Sequence, residues 1–495
     1  GEFSAWMSDA QDGYDVIEWV AVQPWCTGKI GMVGVSYEGL TQWHTAQQRP
    51  PHLSCIVPMA VGATNLHPLR NEGRIATLTA LNWGYMVSGR TQQNPGSPSW
   101  ERIVQHLPIR TLDEALGQKN GRWRKYLAGD EDYGMPSFAL TLEEFAALDL
   151  PVMIITGWWD NQHTISTWIA LQTAEGSDRC RLLIGPWDHA GTKMPRPELG
   201  GYDVSAGMMD ISAHIVRFFD LHLKGVDDGL KNEARCKVFR TGMNRWEERD
   251  MWPPSDTEQA VWYLHSDGNA GSREGGILSQ EAPEEEPMDM FRYDPADPLR
   301  PIGGLGEIFW ADPPLDIRYL ERRPDTVVYT SPPLKGPVHV SGMATLNIHV
   351  STDRPDTDFF ALITDVHPDG RSVFYGLVPA GARLRFRDHI AALAHSDVGE
   401  PPSESRELLM APSEIVALHL PLGFMNHTFK PGHRIRLVVT SSWFSYYWRN
   451  LNGAENPADQ NECHIAQNRV YHSAERPSKL LLPIERAAGS QEATT

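Results

Sequence analysis

The hydrophobic period of this chain changes partway along, and that change restricts the folds open to it. Before about residue 235, short unbroken apolar runs alternate with stretches of helical period. Residues 29–34, 54–59, 152–156 and 181–184 each suit a strand covered on both faces, the pattern of a parallel sheet. Helices are expected between them at 12–22, 38–47 and 165–174, with a long amphipathic helix at 204–223 closed by Lys224 and Gly225. Residues 63–148 break the alternation: they hold helical stretches at 74–86 and 142–148 and no strand-like run, so they read as an inserted helical cap. From about Cys236 the period becomes that of strands, in short runs at 261–264, 346–350, 359–366, 416–420 and 435–440 bounded by turn residues. That spacing suits a jelly-roll β-sandwich. Residues 268–324, acidic at 281–286, read as a solvated excursion. The expected division is 1–62 (first α/β part), 63–148 (cap), 149–234 (second α/β part) and 235–495 (β-sandwich).

Composition narrows the function classes. The formal net charge of −19 and the lack of a Lys/Arg run argue against a nucleic-acid or anionic-membrane partner. No apolar stretch is long enough to span a bilayer as a helix. The five cysteines, Cys26, Cys55, Cys180, Cys236 and Cys463, are scattered and odd in number, so free thiols in a reducing, cytoplasmic setting are expected. Self-association is left open.

One motif carries chemistry. Gly34, Ser36 and Gly39 give the pattern G-x-S-x-x-G, with Glu38 where a strict G-x-S-x-G turn has its second glycine. A buried strand precedes Ser36 and a helix follows it. Such a turn holds a serine hydroxyl above a sheet and aims the next backbone N–H, that of Tyr37, at a substrate oxygen. The bland reading is an ordinary strand-to-helix turn with a serine cap. A nucleophilic serine needs a base, and the base an orienting acid. Asp160 follows the run 152–156 through Gly157-Trp158-Trp159, and His189 follows 181–184 through Gly185-Pro186-Trp187-Asp188. Both stand just past strand ends, in the order serine, acid, histidine. Asp188 is a rival acid, but sequence neighbours rarely face one another. Asp160, His163 and His189 could also be drawn as a metal site; without an H-E-x-x-H pattern, no metal and no organic cofactor are expected.

These residues resemble the cocaine-esterase-like branch of the X-Pro dipeptidyl-peptidase family, which also holds glutaryl acylases and α-amino-acid ester hydrolases. The similar stretches include Gly13-Tyr14-Asp15, Gln23-Pro24-Trp25, Gly34 to Gly39, Gly157 to Asp160 and Gly185 to His189. The second half is similar at Tyr329 to Pro333, Asp365 to Gly370 and Pro431 to Arg436. The resemblance implies an α/β-hydrolase domain with a helical cap, then a jelly roll. It implies Ser36 as nucleophile, His189 as base, Asp160 as acid and the Tyr37 N–H as oxyanion donor. It further implies that the chain starts partway into the hydrolase domain, after the first strands and after a loop whose tyrosine hydroxyl is the family's second oxyanion donor.

The same comparison bears on substrate. Family members that take amino esters hold the ammonium with carboxylates, some just after the triad acid. Here Asn161, Gln162 and His163 follow Asp160, and residues 62–65 carry no acid. Small ester substrates, and amides second, are therefore expected, with Trp83, Trp159, Gln162 and His163 beside the pocket. The alternatives are a peptidase or acylase of the same family, or a binding protein that retains the fold without the chemistry.

Overall fold

The structure is a computed structural model that describes residues 8–63, 98–117, 119–128, 142–160, 162–174, 176–271, 275–301, 315–376, 378–388 and 407–486, with single residues 78, 81, 82, 85 and 140. Trp83 lies outside the described residues, as does most of the expected helix 74–86.

Helix α1 (Asp9–Ala21) leads into strand β1 (Ile30–Val35), helix α2 (Tyr37–Gln47) and strand β2 (Leu53–Met59). After the cap come β3 (Met153–Trp159), the helix His163–Gln172 and β4 (Arg181–Asp188). The strands β1, β2, β3 and β4 pair in that order, all parallel. β3 and β4 are buried along their whole length, which is why their sequence is unbroken and apolar rather than alternating. Parallel strands end together, so the residues after β1, β3 and β4 share one edge of the sheet.

The change of period at Cys236 does not coincide with the change of sheet. Cys236–Arg240 pairs parallel with β4, and Arg245–Arg249 closes the same six-stranded sheet antiparallel. The antiparallel edge strand is nowhere fully buried, so it lacks the unbroken apolar run that marks the parallel strands. Strands of the second domain begin at Thr257–Ser266. They form a largely antiparallel thirteen-stranded array around one apolar cluster that includes Leu264, Leu346, Phe359 and Leu437.

Two further expectations are corrected. The helix expected over 204–223 is only Ile211–Phe219, with a 3-10 turn at Ser205–Gly207 before it and a π turn at Asp220–Lys224 after it. Asp210 sets the start: its backbone is extended and its carboxylate accepts the Ala213 N–H (3.0 Å). The described part of 268–324 is both solvated and sheet: Glu281, Glu284 and Glu285 are exposed as expected, while the strands Gly276–Ser279 and Asp289–Tyr293 belong to the second domain. Asp289 is buried and accepts from the Ala270 N–H, the Ser266 hydroxyl and the Tyr329 hydroxyl, each at 2.8 Å. His472 bridges Asp289 (2.9 Å) and Glu286 (3.0 Å). Asp289 is a core hydrogen-bonding group and Glu286 a partly buried one beside it, which composition cannot distinguish from surface carboxylates.

The cap does not own a complete core. Leu78, Leu81, Ile103, Leu112 and Trp123 share one apolar cluster with Phe444, Trp448 and Ala458 of the second domain. Arg110 adds an ion pair to Asp459 and a backbone bond from its N–H to the Ala458 carbonyl (3.0 Å). Among the described residues, no helix is long and apolar enough to cross a membrane.

The second domain also buries charge. Arg383 meets Asp358 through two nitrogens at 2.7 and 2.8 Å, and both side chains are almost wholly enclosed. Removing one partner strands a buried charge. Arg383→Leu is expected to lower unfolding free energy by about 3–5 kcal/mol, read from urea unfolding of the whole protein. A change below about 1 kcal/mol would mean that water reaches Asp358.

Candidate active site

The turn after β1 is tight because three elements meet there. Ser36 has φ +61° and ψ −122°, a sparsely populated conformation for a residue with a side chain. Its N–H is tied to the Met59 carbonyl of β2 (2.9 Å), and its own carbonyl accepts from the N–H groups of Gly39 and Leu40, each at 2.9 Å. A Cβ on Gly34 would lie 2.4 Å from the Cβ of Glu38. One on Gly39 would lie 2.6 Å from Val61 and 3.1 Å from the carbonyls of Gly34 and Met59. Both glycines are thus required by close approach. Glu38 points outward, its side chain 66% exposed and 3.5 Å from Lys193. Position 38 tolerates a side chain because Gly34 leaves room for its Cβ, and Gly39 meets the close contact one residue later.

Asp160 follows β3 and is buried; His189 follows β4 and is partly open. His189 Nδ1 lies 2.9 Å from Asp160 Oδ1. Gly157 permits the approach of the two strand ends: a Cβ there would lie 2.1 Å from the Trp187 carbonyl oxygen. The rival acid Asp188 faces elsewhere, accepting the Gly191 N–H (2.7 Å) and pairing with Arg196. Burial alone draws the His189 pKa down. The Asp160 charge and hydrogen bond outweigh it, so the imidazole is held above its ordinary 6.5. Beside the turn, the Tyr37 hydroxyl donates to Asp9 (2.5 Å), which fixes the ring and leaves its backbone at the start of α2.

The other expected residues fall in different places. Trp159 is buried in the apolar cluster that also holds Trp158, Trp168 and Trp252. His163 begins its helix, but its side chain lies outside the described residues. Gln162 was expected beside the pocket; its amide instead engages the second domain, with Oε1 accepting the Phe424 N–H (2.7 Å) and Nε2 donating to the Phe424 carbonyl (3.3 Å). Phe424 had no sequence signal, since its partner lies 262 residues away.

The cysteines are free. Burial pushes the Cys55 and Cys236 thiols up to about 12 and Cys180 to about 11, so they stay protonated near neutrality and offer no rival nucleophile. One grouping among the described residues has the spacing of metal ligands: Asp365, His367 and His433, with atoms within 4.8 Å. Hydrogen bonding accounts for part of it, while His367 Nε2 is buried 3.7 Å from Asp365 Oδ2 without a hydrogen-bond partner among the described residues. Asp365 engages His433 Nδ1 (2.8 Å) and His427 Nε2 (3.3 Å), and the Arg371 guanidinium faces His367 Nδ1 at 3.4 Å.

A serine on a strained strand-to-helix turn, with an acid-histidine pair at neighbouring strand ends, defines an α/β-hydrolase fold and a hydrolase-like site. Residues 1–191 match the X-Pro dipeptidyl-peptidase (S15 family) domain, and residues 228–481 match the X-Pro dipeptidyl-peptidase C-terminal non-catalytic domain. The chain belongs to the X-Pro dipeptidyl-peptidase (S15) family of serine hydrolases. Cocaine esterase of Rhodococcus sp. (strain MB1 Bresler) is 30% identical over 514 residues, which cover 98% of this chain and 85% of that protein. An aminopeptidase from a marine sediment Thaumarchaeota archaeon superposes with a TM-score of 0.77 at 23% identity, over 97% of this chain and 80% of that one. An α-amino-acid ester hydrolase does so with a TM-score of 0.76 at 22% identity, over 96% and 80%. The two structures share the fold.

The acid-histidine pair has a direct readout. By NMR titration, His189 is expected to lose its proton above pH 6.5, and Asp160→Asn to move that midpoint down. Because the folded value is raised, the pair stabilises the fold fully below the unfolded value. That contribution is lost as pH rises through the folded value. An unmoved midpoint in Asp160→Asn would remove Asp160 as the cause.

Proposed function

We propose that the protein hydrolyses small carboxylic esters, and amides more slowly, through an acyl-Ser36 intermediate. The single observation that carries this reading is the hydrogen bond from His189 to Asp160 (2.9 Å) at the same sheet edge as the strained Ser36 turn. The 30% identity to a cocaine esterase across nearly the whole chain favours ester over peptide substrates. So does the run Asn161-Gln162-His163, which offers no carboxylate to a substrate ammonium.

In this reading His189 is the general base. It takes the Ser36 proton as Oγ attacks the carbonyl carbon, and the backbone N–H of Tyr37 donates to the oxyanion. Collapse of the tetrahedral intermediate expels the alcohol, which takes the proton back from His189. Water then attacks the acyl-serine by the same route and frees the acid. Asp160 fixes the imidazole tautomer and stabilises its charged form. By the family resemblance, the acyl group would meet Trp83 and His163. No metal or organic cofactor enters any step.

Two measurements test this. An organophosphonate probe is expected to modify Ser36, located by peptide mass spectrometry. Labelling elsewhere, or p-nitrophenyl ester turnover in Ser36→Ala equal to the parent, would leave a binding protein as the better reading. The kcat/KM for the ester should rise with pH to a plateau as His189 loses its proton, with a midpoint above 6.5. Asp160→Asn should lower kcat by about 10⁴-fold.

A further inference from the structure

The C-terminal domain of this family is described as non-catalytic. Its contact with the loop after Asp160 points to a catalytic contribution by position. From the geometry we infer that Gln162 is a positioning residue, through which an edge strand of the C-terminal domain sets the place of Asp160. This rests on the reading of Asp160 as the acid.

Among the described residues, the strand Val416–Phe429 has one strand partner, Val338–Thr352, and on its other side a single parallel bridge from His427 to Thr241. Its other side presents backbone groups of alternate residues. The hydrolase domain supplies partners for three of these in register. Phe424 is held by the Gln162 amide through both its N–H (2.7 Å) and its carbonyl (3.3 Å). Asn426 gives its carbonyl to the Thr241 N–H (2.9 Å), and Thr428 gives its N–H to the Thr241 carbonyl (3.0 Å). Thr241 directly follows the strand Cys236–Arg240, beside β4. The side-chain amide of Gln162 therefore acts as one more rung of a ladder that joins the two domains.

Several features make this rung stiff. The bulge between Ala344 and Thr345 changes the register of the Val416–Phe429 pairing next to Gly423. Gly423 has φ +116°, and a Cβ there would lie 3.0 Å from Gln162 Oε1. Glycine at that position leaves room for the amide. The Phe424 ring packs edge-on against Trp252 (6.0 Å), and Trp252 against Trp158 (5.5 Å) of the strand that ends at the acid. On its own side, the Gln162 carbonyl accepts from Ile165 (3.0 Å) and Ser166 (3.3 Å), so the residue is locked into the first turn of its helix. Asp160 stands two residues before this anchor, with its own N–H on the Gly157 carbonyl (3.3 Å). A carboxylate held at both flanks keeps the His189 ring in one orientation, and small displacements of such groups are costly in rate.

The test compares Gln162→Leu and Gln162→Glu with the parent full-length protein. Gln162→Leu removes both bonds. Gln162→Glu keeps an acceptor for the Phe424 N–H but sets a second oxygen against the Phe424 carbonyl, and it retains the shape of the amide. With a p-nitrophenyl ester, Gln162→Leu is expected to lower kcat by about 10- to 100-fold with KM changed less than about twofold. Gln162→Glu should fall between it and the parent. In Gln162→Leu, which adds no charge, the midpoint of kcat/KM against pH should move down toward 6.5 as Asp160 loses its alignment with His189. Phosphonate modification of Ser36 in the parent is the control that separates the two ideas. If the parent is not labelled, the hydrolase reading fails. If it is labelled, and either soluble folded variant keeps the parent kcat and pH midpoint, the positioning role is overturned. A loss confined to KM overturns it too, because it would place the amide on the substrate.

Discussion

Everything at the active edge depends on a crossing with no room in it. β1, α2 and β2 come together at Gly34 and Gly39, where a single added carbon would lie within 2.4–2.6 Å of a neighbour. The backbone of Ser36 pays for that crossing with a positive φ, and the bond from its N–H to the Met59 carbonyl holds it there. The serine is presented because the elements on either side cannot separate. The same economy of space recurs at Gly157, where the end of β3 passes the Trp187 carbonyl and brings Asp160 within reach of His189. Glycines at these points set distances, and the polar residues inherit them.

The second domain is bound into this arrangement by its backbone. Thr241 and Gln162 cover the end of the strand Val416–Phe429 at Phe424, Asn426 and Thr428, so hydrogen bonds to its main chain cross the domain boundary as they would within a sheet. An edge strand left open is an aggregation hazard. Covering it with the hydrolase domain removes the hazard and creates a fixed joint close to the acid. The cluster of Trp158, Trp168, Trp252 and Phe424 fills the space under that joint, and the Trp168 indole N–H donates to the Trp252 carbonyl (3.0 Å).

Much of the hydrolase half was legible in the sequence, for a physical reason. Strands buried on both faces must be apolar throughout, so β1, β2, β3 and β4 stand out from the helices around them, and residues just past their ends are brought to one edge. That rule places Ser36, Asp160 and His189 just past strand ends, and the structure sets His189 Nδ1 2.9 Å from Asp160. What was not legible is contact between segments distant along the chain. Gln162 looked like a pocket residue because it follows Asp160; nothing local records that Phe424 needs a partner. The long helix expected before Gly225 failed for a local reason, since an apolar stripe continues through Asp210 although its carboxylate caps the next turn. The buried Asp289 was hidden because charge alone does not say which side of a strand faces water.

The shared core beneath the cap bears on how the molecule comes apart. Leu81, Trp123, Phe444 and Trp448 belong to one cluster, although the cap and the second domain are separated in sequence by the whole second part of the hydrolase sheet. Neither piece can open that cluster without exposing the other's aromatic rings. The cap is therefore a bridge with footings on both domains. Heating should remove its order and the packing around Phe444 in one cooperative event, so the cap's melting is tied to the integrity of a domain that lies outside the hydrolase sheet.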